Sequence, residues 1–145
     1  RKNAPCCLMH NRKEPDYTDF IADFLKDMQE TIDIAKKAGI ADENIILDPG
    51  VGFGHRQNQV HDFLFTAHGI GRLLAVLRAF FLIILLGTSR KSVIGLTLDL
   101  PADQRMEGTV ATTVIGVMKG VAFVRVHDVK ENYRALKMTE AILGR

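Results

Sequence analysis

Short apolar runs recur along the chain, separated by polar or glycine-rich loops and by stretches of helical periodicity. The first, second and fourth runs cover residues 4–9, 45–47 and 122–126, and the third lies within residues 81–86. Runs that are almost wholly apolar are typical of strands covered on both faces, as in a parallel sheet. The pattern therefore predicts four strand–loop–helix units, with parallel strands in sequence order and helices outside them.

Apolar residues spaced three and four apart predict the helices that follow these strands. The spacing is clearest at Ile21, Phe24, Leu25, Met28, Ile32 and Ala35. These positions share one helix face, and we expect the helix to begin after a capping Asp16 or Thr18 and to end at Gly39. The remaining predicted helices are 103–119, ending at Gly120, and 129–143, capped by Asp128.

The number of units limits the possible architectures. A complete (β/α)₈ barrel needs eight strands and about 250 residues, whereas this chain has 145 residues and four predicted strands. The chain is therefore predicted to be either a small open α/β sheet or half of a barrel. Without a low-complexity tail or a linker composition, residues 1–145 are expected to form a single domain.

Composition and charge exclude several classes of protein. The chain is 47% hydrophobic and 25% charged, which is the balance of a globular domain rather than a disordered one. A net charge of +2 lacks the concentrated positive charge of a nucleic-acid-binding surface. The apolar stretch 73–86 is shorter than the roughly 20 residues of a membrane-spanning helix and contains Arg78. We therefore expect neither a nucleic-acid nor a membrane partner.

The two cysteines, Cys6 and Cys7, are neighbours in sequence. Neighbouring cysteines form neither a stapling disulfide nor a structural zinc site, which requires about four spaced ligands. We expect two reduced thiols on a buried strand. Because no secretory signal pattern follows Arg1, the sequence predicts a cytoplasmic protein.

Polar side chains suited to ligand binding follow each predicted strand. They are His10, Asp48, Lys91, and Arg125 with His127. The carboxyl ends of parallel strands form one rim, where α/β and barrel enzymes place their sites. Each residue alone has an ordinary explanation, such as a turn at Asp48 or a solvated helix start at Lys91. Their occurrence at four corresponding strand ends favours a shared site.

The residue types indicate what such a site could bind. Asp48, followed by Pro49, can accept hydrogen bonds from the N–H groups of a heterocycle. Glycines at 50, 52 and 54 allow the backbone to approach a ligand, and Phe53 offers an apolar wall. Arg125 and His127 lie two apart on a strand and so share a face. Together with the basic loop 89–92 at a helix start, they suit a phosphate.

Four segments of the chain together resemble the dihydropteroate synthase family. They are residues 7–10, 47–54, 87–92 and 124–129, which occur in the family's order and approximate spacing. The resemblance covers nearly the whole chain but only the C-terminal half of the family's TIM (β/α)₈ barrel, strands five to eight. It implies an α/β half-barrel with parallel strands and outer helices.

The resemblance also implies an activity. The family condenses p-aminobenzoate with 6-hydroxymethyl-7,8-dihydropterin pyrophosphate in folate biosynthesis, releasing pyrophosphate. By resemblance, Asp48 and Lys91 hold the pterin ring with Met9 beside it, and Arg125 and His127 hold the pyrophosphate. Gly52 and Phe53 wall the p-aminobenzoate pocket, whose carboxylate Ser92 binds. We expect the catalytic contribution to come from Lys91, Arg125 and His127.

Further expectations follow from the family alone. They are a Mg²⁺ cofactor whose protein ligand lies in the family's N-terminal half, small-molecule substrates, a homodimer of the full-length enzyme and a role as a sulfonamide target.

The chain departs from the family between residues 55 and 81, where His55 replaces the usual Lys and the expected helix is unrecognisable. Residues 63–98 contain no Asp or Glu. A local frameshift or an insertion would each produce such a segment.

Two other readings remain open. A pterin-binding methyltransferase that serves corrinoid proteins shares the barrel and the pterin-holding Asp, but has no pyrophosphate for Arg125 and His127 to bind. A truncated, non-catalytic fragment is the second alternative. For the isolated chain we expect weak pyrophosphate binding and no detectable synthesis of dihydropteroate.

Overall fold

The computed structural model describes residues 4–14, 16–52, 80 and 82–145. Within these residues the strands are β1 Cys6–Met9, β2 Ile45–Asp48, β3 Ile83–Leu86 and β4 Phe123–Val124. The helices are α1 Phe20–Lys37, α2 Ser92–Leu98, α3 Met106–Met118 and α4 Val129–Ile142, with short 3₁₀ turns at Asp42–Asn44 and Ala102–Gln104. Phe53 and nearly all of the irregular segment 55–81 lie outside the described residues.

The four strands form one parallel sheet in the order β1-β2-β3-β4. The register pairs Met9 with Asp48 at the carboxyl ends of β1 and β2. At the other side of the sheet, Leu86 at the end of β3 pairs with Val124 at the end of β4. The predicted parallel arrangement is confirmed, and it brings the segments that follow the four strands to one edge.

The core lies between the sheet and helix α1. Four of the six predicted face residues of α1 are buried, namely Phe24, Met28, Ile32 and Ala35. They pack in one cluster with the strand residues Ile45, Leu47, Ile84 and Leu86 and with Val93 and Ile94 of α2. Since burying one such side chain contributes about 1.5–3 kcal/mol, this cluster is the main source of the fold's stability.

Two helix caps differ from the predictions. Asp19, rather than Asp16 or Thr18, caps α1, because its Oδ1 accepts the N–H groups of Ile21 at 3.0 Å and Ala22 at 3.1 Å. Asp128 precedes α4, but its side chain makes no capping hydrogen bond because Arg90 holds the carboxylate. The predicted glycine ends are confirmed, since Gly39 and Gly120 have φ values of 82° and 79°.

Helices α3 and α4 are joined by a buried polar contact. Thr113 Oγ1 donates to Asn132 Oδ1 at 2.7 Å, and Asn132 Nδ2 donates to the carbonyl oxygen of Asp128 at 2.8 Å. These bonds tie the loop that follows β4 to the helix layer. Within the described residues, no helix combines the length and hydropathy needed to cross a membrane.

Candidate active site at the carboxyl ends of the strands

The loop after β2 is organised by Asp48, whose side chain is fully buried. Its Oδ1 accepts the N–H of Gly50 at 2.8 Å, which forms a tight turn. Gly50 has a φ of 64°, and a methyl group there would lie 2.0 Å from the carbonyl oxygen of His10. The turn is thus pressed against the end of β1, and only glycine fits at this position.

Arg125 reaches across the sheet to the same carboxylate. Its Nη2 lies 3.2 Å from Asp48 Oδ2, and its backbone N–H donates to the carbonyl oxygen of Leu86 at 2.9 Å. A methyl group on Gly87 would lie 2.8 Å from Arg125 Nη2, so the glycine leaves the space that the guanidinium occupies. The Arg125 side chain is 57% exposed, whereas Asp48 is 0% exposed. A cationic group therefore faces solvent above a buried acid.

Lys91 completes this cluster. Its Nζ donates a hydrogen bond to the carbonyl oxygen of Val51, in the turn that Asp48 organises. Burial lowers the pKa of Lys91 to about 8, the Asp48 carboxylate opposes this shift and the Arg125 cation adds to it. The structure thus brings Asp48, Lys91 and Arg125 within electrostatic reach of one another.

His127 is held by a second contact between strand ends. Ser89 Oγ lies 2.9 Å from His127 Nδ1 and accepts the backbone N–H of His127 at 3.1 Å. Beside it, Arg90 binds the Asp128 carboxylate at 2.6 Å and 3.2 Å, which lowers the pKa of that carboxyl. The loop after β3 and the loop after β4 are therefore fixed to each other by two side-chain contacts.

Three other predicted site residues border this cluster. Met9, half-buried, is the register partner of Asp48. Gly52 is exposed, and a methyl group on it would lie 3.4 Å from the Cδ of Lys91. Ser92 is exposed as the first residue of α2. Phe53, the remaining predicted residue, lies outside the described residues.

His10 does not join the site, which corrects the sequence interpretation. Its Nε2 lies 3.0 Å from Asp27 Oδ2 of α1, and its ring centroid lies 4.7 Å from that of Phe24. Burial lowers the pKa of His10, and its hydrogen bond with Asp27 opposes the shift. Side chains alternate along a strand, so Met9 and His10 point to opposite faces of the sheet. His10 therefore packs in the helix layer.

Sequence reasoning also missed two side chains near the rim. Cys7 is exposed rather than buried, and both burial and the nearby Asp48 carboxylate raise the pKa of its thiol. The two-residue step from Met9 to Cys7 was the signal that places both on one face. Ser89 lay inside a recognised segment, but its partner His127 is 38 residues away and no local pattern reveals the contact.

The described residues do not form a magnesium site. No group of three or more His, Cys, Asp or Glu side chains within them could hold a metal ion. The buried Asp48 carboxylate already accepts from Gly50 and Arg125. The described part of the chain therefore does not fit a Mg²⁺ ion, and we assign no chemical step to this metal.

Parallel strands under a helix layer, with charged side chains gathered at their carboxyl ends, are the arrangement of α/β proteins of the barrel class. Residues 1–127 match the model of the pterin binding enzymes, and the chain belongs to this family. It is 55% identical to the dihydropteroate synthase of Clostridium beijerinckii, and the match covers 99% of this chain and 51% of that protein. It is 45% identical to the Bacillus subtilis dihydropteroate synthase, covering 99% of this chain and 48% of that protein.

Solved structures agree with this assignment. Dihydropteroate synthase from Clostridium difficile, crystallised in the presence of pteroic acid, superposes with a TM-score of 0.87 at 42% identity over 99% of this chain and 52% of that one. The Yersinia pestis enzyme in a sulfonamide drug complex gives 0.85 at 38% identity, covering 98% and 52%. The chain thus spans about half the length of the curated relatives it matches. Its fold is half of a TIM barrel.

Proposed function

We propose that the chain supplies half of a dihydropteroate synthase, which joins p-aminobenzoate to 6-hydroxymethyl-7,8-dihydropterin pyrophosphate. The observation that carries the proposal is the meeting of Asp48, Lys91 and Arg125 at one rim. This set offers a buried anion for the N–H edge of a heterocycle and cations for its diphosphate. Support also comes from the relatives above, which are dihydropteroate synthases.

The pterin ring is proposed to bind over Asp48. An ionised carboxylate has about four lone-pair sites, of which Gly50 and Arg125 occupy two. Because Asp48 is 0% exposed beneath Arg125, the N–H donors of the ring reach its carboxylate only when the guanidinium moves off Oδ2. Lys91 then donates to the ring from the side of Val51. Met9 lies next to Asp48 in the register and supplies an apolar contact.

The pyrophosphate is proposed to bind to Arg125 and His127. The guanidinium presents several donors towards solvent and can bind a phosphate through two parallel hydrogen bonds. His127 is exposed beside it, with one ring nitrogen engaged by Ser89 and the other directed away from that contact. Both groups stabilise negative charge as it develops on the leaving group.

The p-aminobenzoate is proposed to lie by the turn after β2. Gly52 and Phe53 wall this pocket, and the exposed Ser92 hydroxyl binds the carboxylate. The amine nitrogen attacks the pterin methylene carbon, a C–N bond forms, and the C–O bond to pyrophosphate breaks. The amine proton leaves to solvent or to the pyrophosphate, and no side chain becomes covalently modified.

Other properties are proposed from the family resemblance alone. They are a Mg²⁺ ion bound through the other half of the barrel, homodimerisation of the full-length enzyme, a cytoplasmic location and inhibition by sulfonamides.

The proposal is tested by ring binding in a hybrid protein. In this hybrid the chain replaces the matching half of the Clostridium beijerinckii relative. We expect pteroic acid to bind the hybrid, and Asp48→Asn to weaken binding by about tenfold or more because a charged acceptor is lost. The unaltered relative is the positive control. Equal affinity of the hybrid and its Asp48→Asn variant would contradict the assignment.

A further inference from the structure

The Ser89 hydroxyl occupies an unusual position between two loops. It is nearly buried, with 8% of the residue exposed, and its two hydrogen-bond contacts within the described residues are both to His127. One is to the backbone N–H and the other to ring atom Nδ1. The two contacts together restrict how hydrogen atoms can be placed on the serine and on the ring.

A hydroxyl group has one hydrogen to donate and two lone pairs with which to accept. The backbone N–H of His127 can only donate, so Ser89 Oγ accepts from it at 3.1 Å. Among the described residues, the acceptor within reach of the serine hydrogen is Nδ1 of His127, at 2.9 Å. The hydroxyl therefore donates to Nδ1, and the neutral ring carries its hydrogen on Nε2.

The opposite tautomer is disfavoured by the same contacts. A hydrogen on Nδ1 would point at Oγ, and the serine hydrogen would be left buried with no acceptor within the described part of the chain. The loss of one satisfied buried donor corresponds to a tautomer ratio of at least about fivefold to tenfold. The arrangement thus selects the Nε2–H form.

The surrounding contacts keep the serine in place. Thr88 Oγ1 lies 2.6 Å from Thr112 Oγ1, and the backbone N–H of Arg90 donates to Thr109 Oγ1 at 3.1 Å, so α3 anchors both neighbours of Ser89. The Arg90 side chain binds Asp128, the residue after His127. The residue after Ser89, Arg90, is therefore paired with the residue after His127, Asp128, and this ion pair holds the two loops together.

We propose that Ser89 is a positioning residue that fixes His127 in the Nε2–H tautomer, so that the ring presents a hydrogen-bond donor to an anion at the rim. That the anion is pyrophosphate rests on the proposed function. The tautomer itself does not, because it follows from the contacts in the protein without ligand.

Nitrogen NMR of the imidazole side chains tests the tautomer. The full 145-residue chain, labelled with ¹⁵N at histidine, is measured at alkaline pH, so that the two neutral tautomers are compared. A His127→Gln variant identifies the His127 signals by their loss. We expect a hydrogen-bearing Nε2 and an unprotonated, hydrogen-bonded Nδ1.

Three variants separate positioning from simple stabilisation. Ser89→Ala should give a mixture of tautomers at His127, and Ser89→Thr, which keeps a hydroxyl, should restore the single form. Thr139→Ala is the matched control, since it removes a buried hydroxyl of α4 that donates to the carbonyl oxygen of Ala135 and does not contact Ser89 or His127. A protonated Nδ1 in the unaltered chain would overturn the proposal. An unchanged ratio of His127 tautomers in folded Ser89→Ala would also overturn it. If that variant fails to fold, the tautomer observed in the unaltered chain decides the question.

Titration with inorganic pyrophosphate connects the tautomer to binding. We expect Ser89→Ala to weaken binding by about threefold to tenfold, and Ser89→Thr and Thr139→Ala to leave it nearly unchanged. A single Nε2–H tautomer without pyrophosphate binding in the unaltered chain would contradict the proposed function and leave the positioning role standing. Pyrophosphate binding by an unaltered chain whose His127 shows mixed tautomers would contradict the positioning role and leave the proposed function standing.

Discussion

The residues of the rim differ sharply in exposure, and this difference organises their roles. Asp48 is inaccessible and holds the turn through Gly50, while its ion-pair partner Arg125 is more than half exposed. A buried charge is tolerated only when it is paired and hydrogen-bonded, and both conditions are met here. The exposed N–H donors of Arg125 can then contact a ligand, while the hydrogen bond from its backbone N–H to the carbonyl oxygen of Leu86 holds the residue in position.

Removing the guanidinium should weaken anion binding. We expect Arg125→Ala to lower the affinity for pyrophosphate by about tenfold, which is below the range for buried charge pairs because the side chain is exposed. Isothermal titration of both proteins at moderate salt measures this difference. Equal affinities would remove Arg125 from the anion site.

Gly87→Ala provides an independent check on the same group. Its added methyl would lie 2.8 Å from Arg125 Nη2 and should displace the guanidinium from Asp48. The variant that carries both Gly87→Ala and Arg125→Ala should bind pyrophosphate no more weakly than Arg125→Ala alone, because both changes act on one interaction. If the two losses of affinity were additive, Gly87 would act through some other group.

Lys91 should make stability depend on pH above neutrality. Its pKa is about 8 in the folded chain and near the ordinary 10.5 when unfolded, so between these values the unfolded state binds the extra proton. The contribution of Lys91 to the free energy of unfolding therefore rises as pH increases from about 8 to about 10.5, while below pH 8 burial of the charged amine remains destabilising. Urea denaturation of the unaltered chain and Lys91→Met at pH 7.5 and pH 10 measures it. The stability difference between the two proteins should shift in favour of the unaltered chain at pH 10, and a constant difference would contradict the burial of Lys91.

At the level of elements, strand identity and the buried face of α1 could be predicted from local periodicity. The face of the sheet that holds the site could not be predicted, because it depends on where the helices pack. Local sequence therefore does not separate His10 from the residues of the rim. Helix starts were also uncertain, because Asp16, Thr18 and Asp19 are all capping residue types within four positions. The Ser89–His127 and Arg90–Asp128 contacts join positions 38 apart, which no local pattern encodes.

The cap of α1 gives a prediction at this scale. Asp19→Ala should reduce the free energy of unfolding by about 1 kcal/mol, because two backbone N–H groups lose their acceptor. Asp16→Ala and Thr18→Ala serve as controls and should each change it by less than about 0.5 kcal/mol. Chemical denaturation of the three variants compares them. An effect of Thr18→Ala as large as that of Asp19→Ala would contradict the cap.

At the level of the whole molecule, the described part of the fold leaves apolar surface at one edge of the sheet. β1 and β4 each pair with a single strand among the described residues. Beside β4, Phe123 is 49% exposed, and a cavity of about 420 Å³ is lined by Phe123, Val126, Val129, Tyr133 and Leu136, among others. Open strand edges and exposed apolar side chains promote association. This surface accords with a chain that spans about half the length of its relatives.

The half-barrel is proposed to hold working parts of a synthase site that need the other half for turnover. The most direct test measures dihydropteroate formation from p-aminobenzoate and the dihydropterin pyrophosphate. It compares the chain alone with the hybrid that carries the other half of the Clostridium beijerinckii relative. We predict product from the hybrid and none detectable from the chain alone. Turnover by the chain alone at the hybrid's rate, or a folded hybrid that forms no product, would contradict the proposed function.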